Sequence, residues 1–282
     1  MGSLVPVSRA HPGNMASRWR APLSIALIGV SAACLAASSS ALAVGYVAGM
    51  AALVGARIVR YRGQARRFVV TNNQGLAALA RGDLDEAQQI FTRCAATAKL
   101  SRISALARHN LAWTLIRRGE HRGAIAVHTD NETRNVRSLR VIGLWPIGAI
   151  HRGLAHALVG DVDLAERWLD TAGKRVGPAP PQSFVAMRVL LRAVVLARRG
   201  DATAAAKLLD DEWARCENAL TGEALRPLRV IRAYAIAATD VRAAGVASMD
   251  LGALKPRWPG ELAFLGAHWP ELDAFLASHA LT

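Results

Sequence analysis

The residues able to do covalent or metal chemistry are few and poorly placed for it. Eight histidines are scattered over 282 residues, and the two closest, His151 and His156, stand five apart. That spacing does not put two ligands on one helix face. Cys34, Cys94 and Cys216 are far apart and lack metal spacing; they read as small apolar residues. Ser38, Ser39 and Ser40 have no base nearby, and neither a Walker loop nor a G-x-G-x-x-G is present. Asp210-Asp211-Glu212 reads as a solvated helix face. No catalytic residue, metal or cofactor is implied, and the chain reads as a non-enzyme. The work left to it is binding, through side chains carried on helices.

Those helices are announced by Asn72 to Cys94. This stretch reads as two short helices with a sharp turn at Gly82-Asp83. Gly75 and Ala87, one in each helix, permit close backbone approach, and Phe91 is the apolar wedge beside them. A single helical hairpin leaves an apolar face uncovered, so copies that stack on it are expected. The turn recurs at Gly119-Glu120, Gly160-Asp161 and Gly200-Asp201, with spacings of 37, 41 and 40. Five residues after each turn glycine stands Ala87, Ala124, Ala165 or Ala205. Twelve before each alanine is Gly75, Ala112, Gly153 or Ala193; four after it is Phe91, His128, Leu169 or Leu209. Glycine ends a helix by adopting a left-handed conformation, and the acid after it suits the start of the next helix. A weaker fifth copy places Ala233, Asp240 and Gly245 in these roles. Composition agrees: 52% apolar but only 5% aromatic residues favour closely packed helices over sheets.

The pattern resembles the tetratricopeptide repeat. The match is carried by Asn73-Gln74-Gly75, Gly82-Asp83, Ala87 through Phe91, and then Asn110-Leu111-Ala112 with Gly119. It covers about residues 68–215. The spacings exceed the family's 34, so surplus residues are expected in second helices or connections. His128 departs from the usual wedge. The resemblance implies that first helices line a concave groove for a peptide or helix. Mapped onto this chain, the groove shows Asn72, Asn73 and Leu76; then His109, Asn110, Trp113 and Arg117; then Ile150, His151 and Leu154; then Leu190, Leu191, Val194 and Arg198. Asn73 and Asn110 match the asparagine that hydrogen-bonds ligand backbone in the family, or else they satisfy local packing. A groove of this composition favours an apolar or mildly acidic segment.

Charge is uneven. Of 35 basic residues, eight arginines lie in residues 1–67, where no acid occurs, leaving 27 basic against 21 acidic residues in the remainder. The net charge of +14 therefore says little about nucleic acid, which is an unlikely partner. Residues 1–20 read as a disordered basic N-terminus. From Pro22 to Val59 the only charge is Arg57. Such a run fits a transmembrane helical hairpin over 21–60, a single tilted span, or a signal peptide ending near Ala41-Leu42-Ala43. Arg57, Arg60, Arg62, Arg66 and Arg67 would then meet anionic lipid headgroups. Gly45 and Gly49 form a G-x-x-x-G suited to self-association, or simply belong to an Ala/Gly-rich span.

The resulting expectation is all-α: a right-handed α-solenoid of antiparallel helix pairs, four tetratricopeptide-like repeats over 68–215, preceded by the membrane hairpin. Residues 216–282 hold the degenerate fifth repeat and a helical cap built on Trp258, Phe264, Trp269 and Phe275. The expected work is that of a membrane scaffold presenting a groove to a protein partner on the cytoplasmic side. The alternative is an exported envelope protein assisting assembly of a secretion or cell-surface apparatus.

Overall fold

A computed structural model describes residues 40–98, 100–220, 222–239 and 254–282. The chain divides between Asn73 and Gln74 into two compact units. Every described element is helical: α1 Ser40–Arg81, α2 Leu84–Thr97, α3 Ser101–Arg117, α4 His121–Val141, α5 Trp145–Val159, α6 Val162–Arg175, α7 Gln182–Arg198, α8 Ala202–Ala219, α9 Gly222–Ala238 and α10 Pro270–Ser278, with a 3-10 turn at Ala263–Leu265.

The helix α1 is continuous over 42 residues. Its arginines at 57, 60, 62, 66 and 67 are exposed, as are Leu53 and Val59. The expected transmembrane hairpin is not supported. Its first half lies outside the described residues, and among the described residues no helix is long and apolar enough to cross a membrane. The physical reason is that the apolar stretch after Ser40 runs straight into the arginine cluster within one helix. The basic N-terminus, Cys34, Asp240 and Gly245 also lie outside the described residues. A side chain added at Gly49 would meet nothing within 4 Å.

In the second unit the turns behave as their sequence implies. Gly82, Gly119, Gly160 and Gly200 have φ of 86°, 78°, 97° and 84°. After each, the next amide reaches back five residues: Asp83 to Ala78, Glu120 to Leu115, Asp161 to His156 and Asp201 to Leu196, at 2.9–3.0 Å. This closes each helix in one left-handed capping motif. A fifth turn of the same form, at Gly143, ends α4: the Leu144 amide donates to the Leu139 carbonyl. Asp83 and Asp201 also cap the next helix through their carboxylates, accepting from the Glu86 and Ala204 amides.

The packing alanines Ala87, Ala124, Ala165 and Ala205, and Ala233 of the fifth copy, are fully buried. At Gly153 the approach is close enough that a Cβ would sit 2.7 Å from Leu191 and 3.3 Å from the Ala165 carbonyl. From α2 to α9 each helix packs on the next, and the first helices also touch in series, α3 on α5, α5 on α7 and α7 on α9. The surplus over a 34-residue repeat sits in α4, 21 residues long against 14 for α2 and α6, with a bend at Asn135, and in the connection 176–181 before α7. Pro146 lies in the first turn of α5 and Pro181 caps α7, where a missing amide hydrogen costs nothing.

Residues 254–282 extend well beyond an end cap. Trp269 and Phe275 do pack edge-on against Tyr234 of α9. The segment then reaches earlier repeats: the Trp258 ring lies against Gly82, Ala267 against Gly119, and Phe264 beneath Arg117. Leu262, Phe264, Leu265, Trp269, Leu272 and Leu276 are buried in the same core as the repeats. Arg226 of α9 anchors this strap, donating to both oxygens of buried Glu261 at 2.8 and 2.9 Å.

Candidate functional site

The positions expected to bind a partner separate into three settings. In the first unit Asn72 is buried and Asn73 exposed. In the second, Leu76, His109, Asn110, Trp113 and His151 are all buried, and Arg117 and Arg198 half-buried. The first helices are enclosed on nearly every side; within 149–158 of α5 only Arg152 keeps appreciable exposure. A helix apolar all round sits inside a protein, and here α4 and the C-terminal strap supply the cover. Arg117 lies over Phe264 and Trp258 at 5.3 and 5.9 Å. Arg198 donates to the carbonyls of Ala157, Leu158 and His268 and lies 4.8 Å from the Trp269 ring centre. Both cations therefore bind the strap to the repeats.

His109, Trp113 and His151 come together, joined by a residue flagged only as an odd wedge, His128. The His151 ring stacks on His109 at 5.0 Å and on Trp113 at 4.6 Å. His128 meets both imidazoles edge-on, at 5.8 and 6.0 Å. Burial holds His128 and His151 well below the usual histidine range, with neighbouring imidazoles adding to the effect and Arg152 also acting on His128. Three flat polarisable rings thus fill the slot that Phe91 and Leu209 fill with hydrocarbon in their own repeats. A pair of α4 amides ties the same region: Asn131 donates to the Ala105 carbonyl and Asn135 to Asn131. Among the described residues no group of three His, Cys, Asp or Glu side chains is arranged to hold a metal ion.

Beside this cluster a pocket opens between α3, α4, α5 and α6, lined in part by His109, His128, Glu132, Trp145, Arg152 and Arg175. Its walls form a ladder of alternating cations and indoles. Arg140 lies 4.1 Å from the Trp145 ring centre, Arg175 4.4 Å from Trp145 and 5.4 Å from Trp168, and Arg152 4.1 Å from Trp168. The register explains it. In α5 and again in α6 an arginine follows a tryptophan by two turns, Trp145 to Arg152 and Trp168 to Arg175. Because the two helices are antiparallel, each arginine crosses to the other helix's tryptophan. Among the described residues Glu132 is the carboxylate paired with ladder arginines, accepting from Arg175 and from the Trp145 indole at 3.2 Å and facing Arg152 at 3.7 Å. Burial pulls the Arg152 guanidinium below its ordinary value, against the pull of Glu132. Three guanidiniums and one carboxylate make a positively charged, aromatic surface, at once stacked and partly open to water. Sequence reasoning missed this ladder, although the repeated Trp–Arg spacing was visible.

The comparisons with known proteins bear on the repeats. A family model described as tetratricopeptide repeat matches residues 69–91, 105–127 and 146–171. These segments fall on α1–α2, α3–α4 and α5–α6, and support reading the chain as a tetratricopeptide-repeat protein with an all-helical, solenoid-like arrangement. No curated protein and no solved structure matches the chain.

Proposed function

We propose that this chain is a non-catalytic scaffold that receives an acidic protein segment on the Arg–Trp ladder of its second and third repeats, and that its N-terminal part tethers it to a membrane. The observation that carries the scaffold reading is the run of three tetratricopeptide matches on successive helix pairs, the first helices of the second and third touching each other; repeats of this kind commonly bind proteins. The charge of the partner is inferred from the ladder. Arg140 is exposed, Trp145 partly so, and one carboxylate answers three guanidiniums. Acidic side chains gain charge-assisted, bidentate contacts from such a surface.

The tether rests on sequence. The apolar run from Pro22 to Val59 is flanked by Arg18 and Arg20 before it and by the cluster from Arg57 to Arg67 after it. On this reading the repeats face the cytoplasm, and the five arginines from Arg57 to Arg67 contribute about 1 kcal/mol each against anionic headgroups. The face bearing Gly45 and Gly49 offers a contact to a second copy.

Crosslinking capture from native membranes, wild type beside Arg140→Glu, tests the ladder. Loss of the captured partner with an unchanged melting temperature is expected; equal capture would remove the ladder as the site. An alkaline phosphatase fused at Thr282 tests the orientation, and activity there contradicts it.

A further inference from the structure

We propose that the buried histidine cluster of His109, His128 and His151 is an acid-sensitive joint between the second and third repeats, which loosens the wall of the binding surface when the surroundings acidify. The inference builds on the proposed binding surface only for its consequence; the joint itself is argued from packing.

The three imidazoles come from three different helices, α3, α4 and α5, and touch one another near the helix centres. His151 is fully buried and His128 nearly so. Among the described residues neither ring nitrogen of His151, nor Nε2 of His128, has a hydrogen-bond partner. A neutral ring tolerates this. A protonated one does not, because an unpaired buried charge carries a large desolvation cost.

The neighbours offer no relief. From α3 the facing titratable group is His109, and from α4 they are His128 and Glu132. From α5 come His151 and Arg152, and from α6 Arg175. α7, which packs on α5, buries only apolar side chains, with Leu191 against Gly153. The one carboxylate, Glu132, is already held by Arg175 and Arg152. Arg152 acts on His128 and Arg175 lines the same pocket, so an added proton on His128 meets repulsion before attraction.

The direction with pH follows. Above the ordinary histidine pKa, His128 and His151 are neutral whether the joint is closed or open. Below it the open form takes up protons that the closed form refuses, consistent with the lowered proton affinity of both residues when closed. Closure therefore weakens as pH falls, by up to about tenfold per pH unit for each histidine, or up to roughly a hundredfold for the two.

Hydrogen exchange on the full chain, corrected for intrinsic rates, reads the local opening of α3 and α5 between about pH 5.5 and about pH 4.5. Wild type is expected to open roughly a hundredfold more over that interval. His128→Leu/His151→Leu should lose most of that dependence, and His279→Asn should keep it. Equal pH dependence in wild type and the double variant overturns the proposal. Should the double variant not fold, proton NMR of the wild type decides. Ring signals of His128 and His151 that titrate near the ordinary pKa in an intact fold overturn it; silence there, with opening at lower pH, bears it out. No partner is present in either measurement, so the scaffold reading succeeds or fails separately.

Discussion

At the scale of single residues, the meaning of a glycine here depends on what its missing side chain would touch. Gly153 and Gly148 lie in the same helix five residues apart, yet opposite results are expected from the same substitution. At Gly153 a Cβ would press on Leu191 at 2.7 Å, on the Trp168 Cβ at 3.1 Å and on the Ala165 carbonyl at 3.3 Å. Leu191 and Ala165 are fully buried and cannot give way, so Gly153→Ala should cost about 1–3 kcal/mol. At Gly148 the nearest atom is His128 Nδ1 at 3.9 Å, an ordinary contact. Gly148→Ala should therefore raise stability by roughly 0.5–1 kcal/mol through the lower conformational freedom of the unfolded chain. Urea melts of the two variants check both signs, and two losses of similar size would refute the contrast. His128 belongs to this scale as well. Its type marked the second repeat as unusual, but the compensation, two more imidazoles brought up by α3 and α5, has no local signature.

At the scale of elements, the turns and the packing alanines were legible because their causes are local. A helix needs a left-handed terminator within a residue or two of its end, and a helix crossing needs a small residue a fixed distance away. The ladder was not legible, because it depends on α5 and α6 lying antiparallel in one register; the spacing within each helix is written plainly, the pairing is not. Ion pairs also link successive turns. Arg118 reaches Asp85, and Arg199 reaches Asp163 and Glu166. These are exposed and contribute little in water. The buried pair is different. Arg226 and Glu261 have side chains 8% and 3% exposed, and Glu261 also accepts from the Arg257 amide at 2.7 Å. Arg226→Met strands a buried carboxylate and should cost about 3–5 kcal/mol, whereas Arg226→Met/Glu261→Leu should recover much of that loss. Denaturant unfolding of single and double variants measures the difference. A double variant as unstable as the single one would count against the pair as the strap's anchor.

At the scale of the molecule, the second unit departs from the usual independence of stacked repeats. In a simple solenoid each repeat touches only its neighbours. Here Trp258 lies against the turn of the first repeat, Ala267 against that of the second, and Arg198 of the fourth holds His268. The sequence suggested a cover for the last repeat because the aromatic residues stand at the end of the chain; contacts between residues so distant in sequence leave no pattern to read. Deletion of residues 254–282 should therefore do more than expose one end. Calorimetry is expected to show a lower, broader transition, and a hydrophobic dye should bind the truncated protein. An unchanged sharp transition would mean that the strap is ornament.

The strap also imposes an order on biosynthesis. Residues around Gly82 leave the ribosome long before Trp258 exists, an interval of roughly ten to thirty seconds at ordinary translation speeds. Throughout that interval the edges of the first two repeats stay wet and greasy, awaiting aromatic rings not yet made. The nascent chain thus carries a timed vulnerability, and a holding chaperone or a stalled ribosome would act on it at that moment.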